Sequence, residues 1–188
     1  MESIYNKTML ELEDYFLEKQ DKKFRAVQVF EWLYQKKVST FEEMSNLKKE
    51  VIATLEANFS ITSISIKKIE RDQDVSKYLF SLKDGEKIEA VLMNHHYGNS
   101  LCISTQVGCN MGCKFCESGR LKKVRNLETA EMVEQILKVE QEEHVRISHV
   151  VVMGIGEPFD NYDNLVKFIE IINHPKGLAL GSRHITVS

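Results

Sequence analysis

No apolar run in this 188-residue sequence approaches the roughly 20 residues that a membrane-spanning helix needs. The opening MESIYNKTMLELEDYF is acidic and amphipathic, so it lacks the basic-then-apolar build of a secretory signal. There is no internal repeat and no low-complexity tract. An excess of positive charge is also missing: 25 Lys and Arg stand against 28 Asp and Glu, and the net charge of −3 does not mark a nucleic-acid binder. Cysteine is scarce, with four residues and no second CxxC-type pair. The expectation is a soluble cytoplasmic protein with one substantial core, or a compact domain with a small accessory one. In that reducing compartment a tight cysteine cluster reads as metal-binding or catalytic before it reads as disulfides.

The apolar pattern changes twice along the chain. Residues 1–59 read as four short helices forming an accessory domain: Phe24, Val27, Phe30 and Tyr34 keep helical spacing, and Leu47, Val51 and Leu55 repeat it. Thr40 with Glu43 has the form of a capping box. Residues 60–98 switch to a period of two, with breaks at RDQD, DGE and HHYG, which predicts a β-meander. Residues 99–188 read as strand, helix, strand, helix, strand: LCISTQ, TAEMVEQILKV, HVVVM, NYDNLVKFIEII and HITVS. That βαβαβ series implies an α/β fold with a parallel sheet covered by helices. The last strand has no following helix, so the expectation is the N-terminal part of a longer protein.

Three of the four cysteines, Cys109, Cys113 and Cys116, lie in GCNMGCKFCESG with C-x3-C-x2-C spacing, where Gly108 and Gly112 free the backbone. A loop of this kind can hold a [4Fe–4S] cluster by three thiolates and leave one iron without a side chain. The open iron can take the amino and carboxylate groups of S-adenosylmethionine and pass an electron to its sulfonium, giving a 5′-deoxyadenosyl radical. The alternative is a structural zinc site completed by His95, His96 or His149. GIGEP, residues 154–158, directly follows HVVVM, where the C-terminal ends of parallel strands gather ligands. There Glu157 can accept a hydrogen bond from an ammonium group. Two basic groups, Lys19, Lys22, Lys23 and Arg25, and Arg120, Lys122, Lys123 and Arg125, can supply phosphate contacts or simply face solvent.

CISTQVGCNMGCKFC, VRNL, VVVMGIGEP and HITVS, in this order, closely resemble the RlmN/Cfr family of radical S-adenosylmethionine RNA methyltransferases. KFRAVQVFEWLYQKKVSTFEEMSNL resembles that family's small N-terminal domain, so the resemblance runs from about residue 8 to Ser188. It implies the first three strands of a radical SAM barrel and methylation of adenine C2 in 23S rRNA and tRNA. In the implied reaction a cysteine near the family's C-terminus is S-methylated, and the 5′-deoxyadenosyl radical takes hydrogen from that methyl group. The resulting radical adds to adenine, and a second cysteine resolves the covalent adduct by forming a disulfide.

By position, Cys102 matches the resolving cysteine and Glu89 the carboxylate that accepts a proton. Gly156 and Glu157 match the residues that hold the cofactor's amino group, and Ser188 a cofactor-contacting serine. An electron donor for the cluster is implied, with no membrane partner and a monomeric protein. The methyl-carrying cysteine is absent, so this chain alone is expected not to complete the reaction. ESGRLKKVRNL is more basic than the family pattern, and FDNYDN follows GEP where leucine-like residues are usual. The competing readings are a Cfr-type adenine-C8 methyltransferase and a zinc-bound, non-catalytic RNA-binding module.

Overall fold

The computed structural model describes residues 1–188. A short strand β1 (Glu2–Ser3) leads into helices α1 (Met9–Glu18), α2 (Phe24–Tyr34) and α3 (Lys49–Asn58), followed by β2 (Phe59–Ser60). β1 and β2 pair in parallel and tie the two ends of the helical segment together. Thr8 and Glu11 form a capping box that starts α1. The Thr40–Glu43 capping box is also present, but it opens only a single 3-10 turn over Phe41–Glu43, because Met44 leaves helical geometry at ψ 66°. The expected four helices are therefore three, with 3-10 turns at Ile4–Asn6 and Phe41–Glu43.

The rest of the chain is built on one sheet. β3 (Ile64–Asp72), β4 (Val75–Leu82), β5 (Lys87–His95) and β6 (Gly98–Cys102) form an antiparallel meander. A small hairpin follows, β7 (Gln106–Val107) with β8 (Arg125–Asn126), and the cysteine loop lies between its arms. Then come α4 (Thr129–Glu143), β9 (Ile147–Val152), α5 (Tyr162–Asn173) and β10 (Ile185–Val187). β9 pairs in parallel with β6 and β10 with β9, giving the order β10-β9-β6-β5-β4-β3. LCISTQ thus ends as a strand at Cys102. Ser104 turns away because α4 engages it: its amide donates to Gln135 Oε1 at 2.9 Å, and Gln135 Nε2 returns a bond to its carbonyl.

Alternation divides the sheet into two unlike faces. Ile88, Ala90, Leu92, Leu101, Val150 and Val152 are buried, in one core with α4, α5 and the helical segment. The other face carries Lys77, Leu79, Glu89, Val91, Cys102 and Val151, all of them exposed or half-buried. Helix α4 lies deep in this arrangement, and its polar residues follow it there. Glu131, Glu134, Gln135 and Glu140 are each at most 5% exposed. Every one has a partner: Arg125, Ser63, Ser104 and the Ile147 amide respectively. A buried charge without such a partner would cost several kcal/mol, so these contacts are required for the helix to sit where it does.

Candidate functional site

The carboxyl ends of β6, β9 and β10 converge on one edge of the sheet, and most of the residues singled out above gather there. Cys102 is the last residue of β6, directly opposite Val91 on β5 and Val151 on β9. Direct partners across a sheet share a face, so Cys102 projects from the uncovered side. Glu89 lies two residues from Val91 and projects from the same side. Its carboxylate is 2.8 Å from Lys77 Nζ, a bond that raises the lysine pKa. Burial pushes the Cys102 thiol above its ordinary value, partly opposed by a hydrogen bond from the Met153 amide. Glu89 and Cys102 are thus brought onto one surface, two rungs apart on neighbouring strands.

The three-cysteine loop leaves the same edge. Its arms are held by the β7–β8 pair, by the Val124 amide donating to the Val107 carbonyl at 2.8 Å, and by the Cys109 amide donating to the Leu121 carbonyl at 3.0 Å. Beyond that root the loop is open: Cys113 is exposed, Cys109 and Cys116 half-exposed, and all three are free thiols. The three sulfurs are not drawn into one coordination sphere, and no three His, Cys, Asp or Glu side chains are grouped to hold a metal ion. The donor set nonetheless fits an iron–sulfur cluster, since cysteine thiolates are its usual protein ligands and the three free thiols of this accessible loop can hold three of its irons. A zinc site closed by histidine fits less well. His95 and His96 precede β6 and His149 pairs with Ser100 on it, whereas the cysteine loop follows the far end of that strand.

The GIGEP turn leaves β9 alongside this loop and is pinned to the segment that leads into it. Ile155 accepts from the amides of Thr105 and Gln106 at 2.9 and 3.2 Å, and the Ile155 amide donates to Ser104 Oγ. Gly156 has φ +111°, and a Cβ there would stand 2.6 Å from Gln106 Cβ and 2.8 Å from Thr105 Oγ1. Only glycine meets both conditions. Thr105 Oγ1 is buried and has no hydrogen-bond partner, a polar atom left free beside the turn. Glu157 is half-buried, and through Oε1 it accepts from the Phe159 amide at 3.1 Å, capping the turn Pro158–Asn161. Ser188 is exposed just past β10, its amide 3.4 Å from the Val152 carbonyl.

Several residues of the site carried no clear sequence signal. Gln106, Asn126 and Asn161 are common polar residues, yet Asn161 Nδ2 bonds the carbonyls of Thr105 and Leu127, stitching the start of α5 to both arms of the loop. Arg125, grouped above with free basic residues, is committed instead. It forms a two-pronged pair with Glu131 at 2.7 and 2.8 Å and reaches Asp84 at 2.6 Å. Lys123 is 3.9 Å from Asp160, and in the other basic group Lys23 pairs with Glu13 and Arg25 with Asp21.

Residues 3–61 match the family model of the ribosomal RNA large subunit methyltransferase N-terminal domain, and residues 103–188 match the radical SAM superfamily. Together the two models account for most of the chain. It belongs to the RlmN family of radical SAM proteins. A protein of Acholeplasma laidlawii named "Probable dual-specificity RNA methyltransferase RlmN" is 54% identical over 187 residues, covering 98% of this chain and 55% of its own length. A Shouchella clausii protein of the same name is 54% identical over 196 residues, covering 100% and 54%. The crystal structure of a radical SAM methyltransferase from Sphaerobacter thermophilus superposes with a TM-score of 0.91 at 32% identity, covering 100% of this chain and 56% of that one. The chain therefore spans about half the length of the curated relatives it matches. Membership of the radical SAM superfamily implies a [4Fe–4S] cluster and S-adenosylmethionine as cofactors. No helix is long and apolar enough to cross a membrane.

Proposed function

We propose that this chain is the cluster-bearing part of a cytoplasmic RlmN-type RNA methyltransferase that methylates adenine C2 in 23S rRNA and tRNA. The sheet from β6 to β10 is then the first three strands of a (βα) barrel, and residues 1–59 form an element that positions RNA. The observation that carries the reading is the meeting of two features at one sheet edge: a loop of three free thiols, and a glycine turn that presents Glu157. The names of the relatives support dual RNA specificity.

Cys109, Cys113 and Cys116 would hold the cluster, and Gly156, Glu157 and Ser188 would face the cofactor's polar end. When bound, the cluster and S-adenosylmethionine supply one-electron cleavage of a carbon–sulfur bond. The remaining roles belong to the uncovered face of the sheet. Glu89 accepts a proton from the substrate adenine, and the ion pair with Lys77 holds its carboxylate in place on that face. The Cys102 thiol, losing its proton, attacks the sulfur of a cysteine that is not among the four of this sequence and that is bridged to the adenine by a methylene. The S–S bond forms as the methylene–sulfur bond breaks, and the methylene carbon keeps the electron pair and takes a proton, releasing the methylated RNA. The half-buried position of Cys102 keeps it out of the cluster loop and on the same surface as Glu89.

The test is anaerobic reconstitution with iron and sulfide, then electron paramagnetic resonance of the reduced protein with and without S-adenosylmethionine. A cluster signal that shifts on adding the cofactor is the expected result. Zinc retained in place of iron, with no cluster formed, would refute the reading and favour a binding module.

A further inference from the structure

We propose that Gln106 is a positioning residue: its buried amide locks the GEP turn to the root of the cysteine loop and so sets where Glu157 stands relative to the cluster thiols. Gln106 is fully buried. Its Oε1 accepts from the Glu157 amide at 2.9 Å, and its Nε2 donates to Asn126 Oδ1 at 2.8 Å. Asn126 Nδ2 in turn donates to the Asp160 carbonyl at 2.9 Å. Gln106 belongs to the arm entering the cysteine loop and Asn126 to the arm leaving it, and the two are direct partners in the β7–β8 pair. One side chain thus joins both arms of the loop to the turn.

The orientation of this chain of amides is fixed at both ends. A backbone N–H can only donate and a carbonyl can only accept, so Gln106 must present oxygen to Glu157, and Asn126 must present nitrogen to Asp160. The link between the two amides then has only one polarity. Glutamate at 106 would keep the bond to Glu157 but set a second oxygen against Asn126 Oδ1. Turning Asn126 over to relieve that contact would set its oxygen against the Asp160 carbonyl. Methionine fills a similar volume and removes both bonds. The absent Cβ of Gly156 is what lets Gln106 lie this close, since its Cβ and Cγ stand 2.6 and 2.7 Å from where that atom would be.

The cofactor side of this inference rests on the radical SAM reading above, so two measurements are paired. In the cluster-free chain, amide hydrogen exchange of Glu157 should quicken at least about fivefold in Gln106→Met, the size expected for loss of one net hydrogen bond. In reconstituted protein, Gln106→Met and Gln106→Glu should keep wild-type iron and sulfide content, because no thiol is touched. Both should nevertheless need about tenfold more S-adenosylmethionine to shift the resonance signal, the scale seen when a ligand's supporting hydrogen bond is removed. A purely structural role would lower the melting temperature and leave that titration unmoved. Unchanged exchange, or a wild-type titration in both variants, overturns the proposal. A wild-type cluster blind to S-adenosylmethionine would instead overturn the functional reading, while the exchange measurement still decides the strut.

Discussion

Gly156→Ala should be far more damaging than its single added methyl suggests, and Gly85→Ala provides the internal standard. Gly85 sits in the β4–β5 turn at φ +88°, and a Cβ there would meet nothing within 4 Å. Its substitution therefore reports backbone strain alone, about 1–2 kcal/mol for an L-residue held at positive φ. Gly156 carries the same kind of strain at φ +111°, and its Cβ would also stand 2.6–2.8 Å from Gln106 Cβ, Gln106 Cγ and Thr105 Oγ1. Those atoms are the base of a fully buried side chain and a buried hydroxyl, not the free end of a flexible group. Displacing them adds about 1–3 kcal/mol, the usual cost of overpacking. At about 3 °C per kcal/mol for a chain of this size, thermal unfolding should fall by roughly 3–6 °C for Gly85→Ala and roughly 6–15 °C for Gly156→Ala. Equal losses in the two variants would refute the claim that the GEP turn is built on close approach to the segment entering the cysteine loop.

Burial pushes the Glu134 carboxyl up to about 7, while bonds from Ser63 and the Ile64 amide oppose the shift. A raised carboxyl holds in the folded state a proton that the unfolded chain releases above about 4.5, so this group's contribution to stability should decline by up to about 3 kcal/mol between pH 4.5 and 7, then level off. Denaturant midpoints at pH 5 and pH 7.5 should differ less in Glu134→Gln than in wild type; an unchanged difference would refute the assignment. Arg125→Leu leaves the Glu131 carboxylate, 6% exposed, without its counter-charge and should cost about 2–4 kcal/mol by urea unfolding. A loss below about 0.5 kcal/mol would mean the pair is solvated. Cys102 is half-buried with its pKa raised, so iodoacetamide at pH 8 should modify it more slowly than the exposed Cys113, as read by mass spectrometry. The reverse order would refute the placement of the thiol.

What the sequence made legible was set by periodicity and by rare residue types. The meander, α4, α5 and the strands β9 and β10 all show in the spacing of apolar residues, and three thiols in eight positions are too unusual to overlook. Family resemblance placed Glu89 and Cys102 in roles, and the sheet register brings both onto one face through Val91. The hidden part was polar. Glu131, Glu134, Gln135 and Glu140 carry no sequence mark of burial, yet α4 is wedged between the sheet and the helical segment and buries them against specific donors. Arg125 read as a free cation for the same reason, since its partners come from the β4–β5 turn and from α4. Pattern reading sees a residue's own segment, and these contacts are made across segments.

The register of β6 links these observations. A slip of one residue would turn Cys102 into the core and bring Leu101 onto the uncovered face. It would also pull Ser104–Gln106 out of reach of the turn after β9. Three features oppose that slip. A bulge between Asn99 and Ser100 takes up the mismatch with Ile147 and His149 at the start of the strand. Gln135 grips both the amide and the carbonyl of Ser104 at its end. Ser104 Oγ donates to the Glu89 carbonyl at 2.6 Å, so the residue that turns the chain toward the cysteine loop also fixes it to the strand that carries Glu89. The cost of losing any one of these falls on Cys102, the cysteine loop and the GEP turn together, because Cys102 and the loop lie along a single stretch of chain and the turn is bonded to that stretch at Ser104, Thr105 and Gln106. A Gln135→Leu variant should accordingly raise the reactivity of Cys102 and quicken exchange at Ile155 and Glu157 together. If it changed one without the other, the strand end and the turn would be independent, and the argument from a shared register would fail.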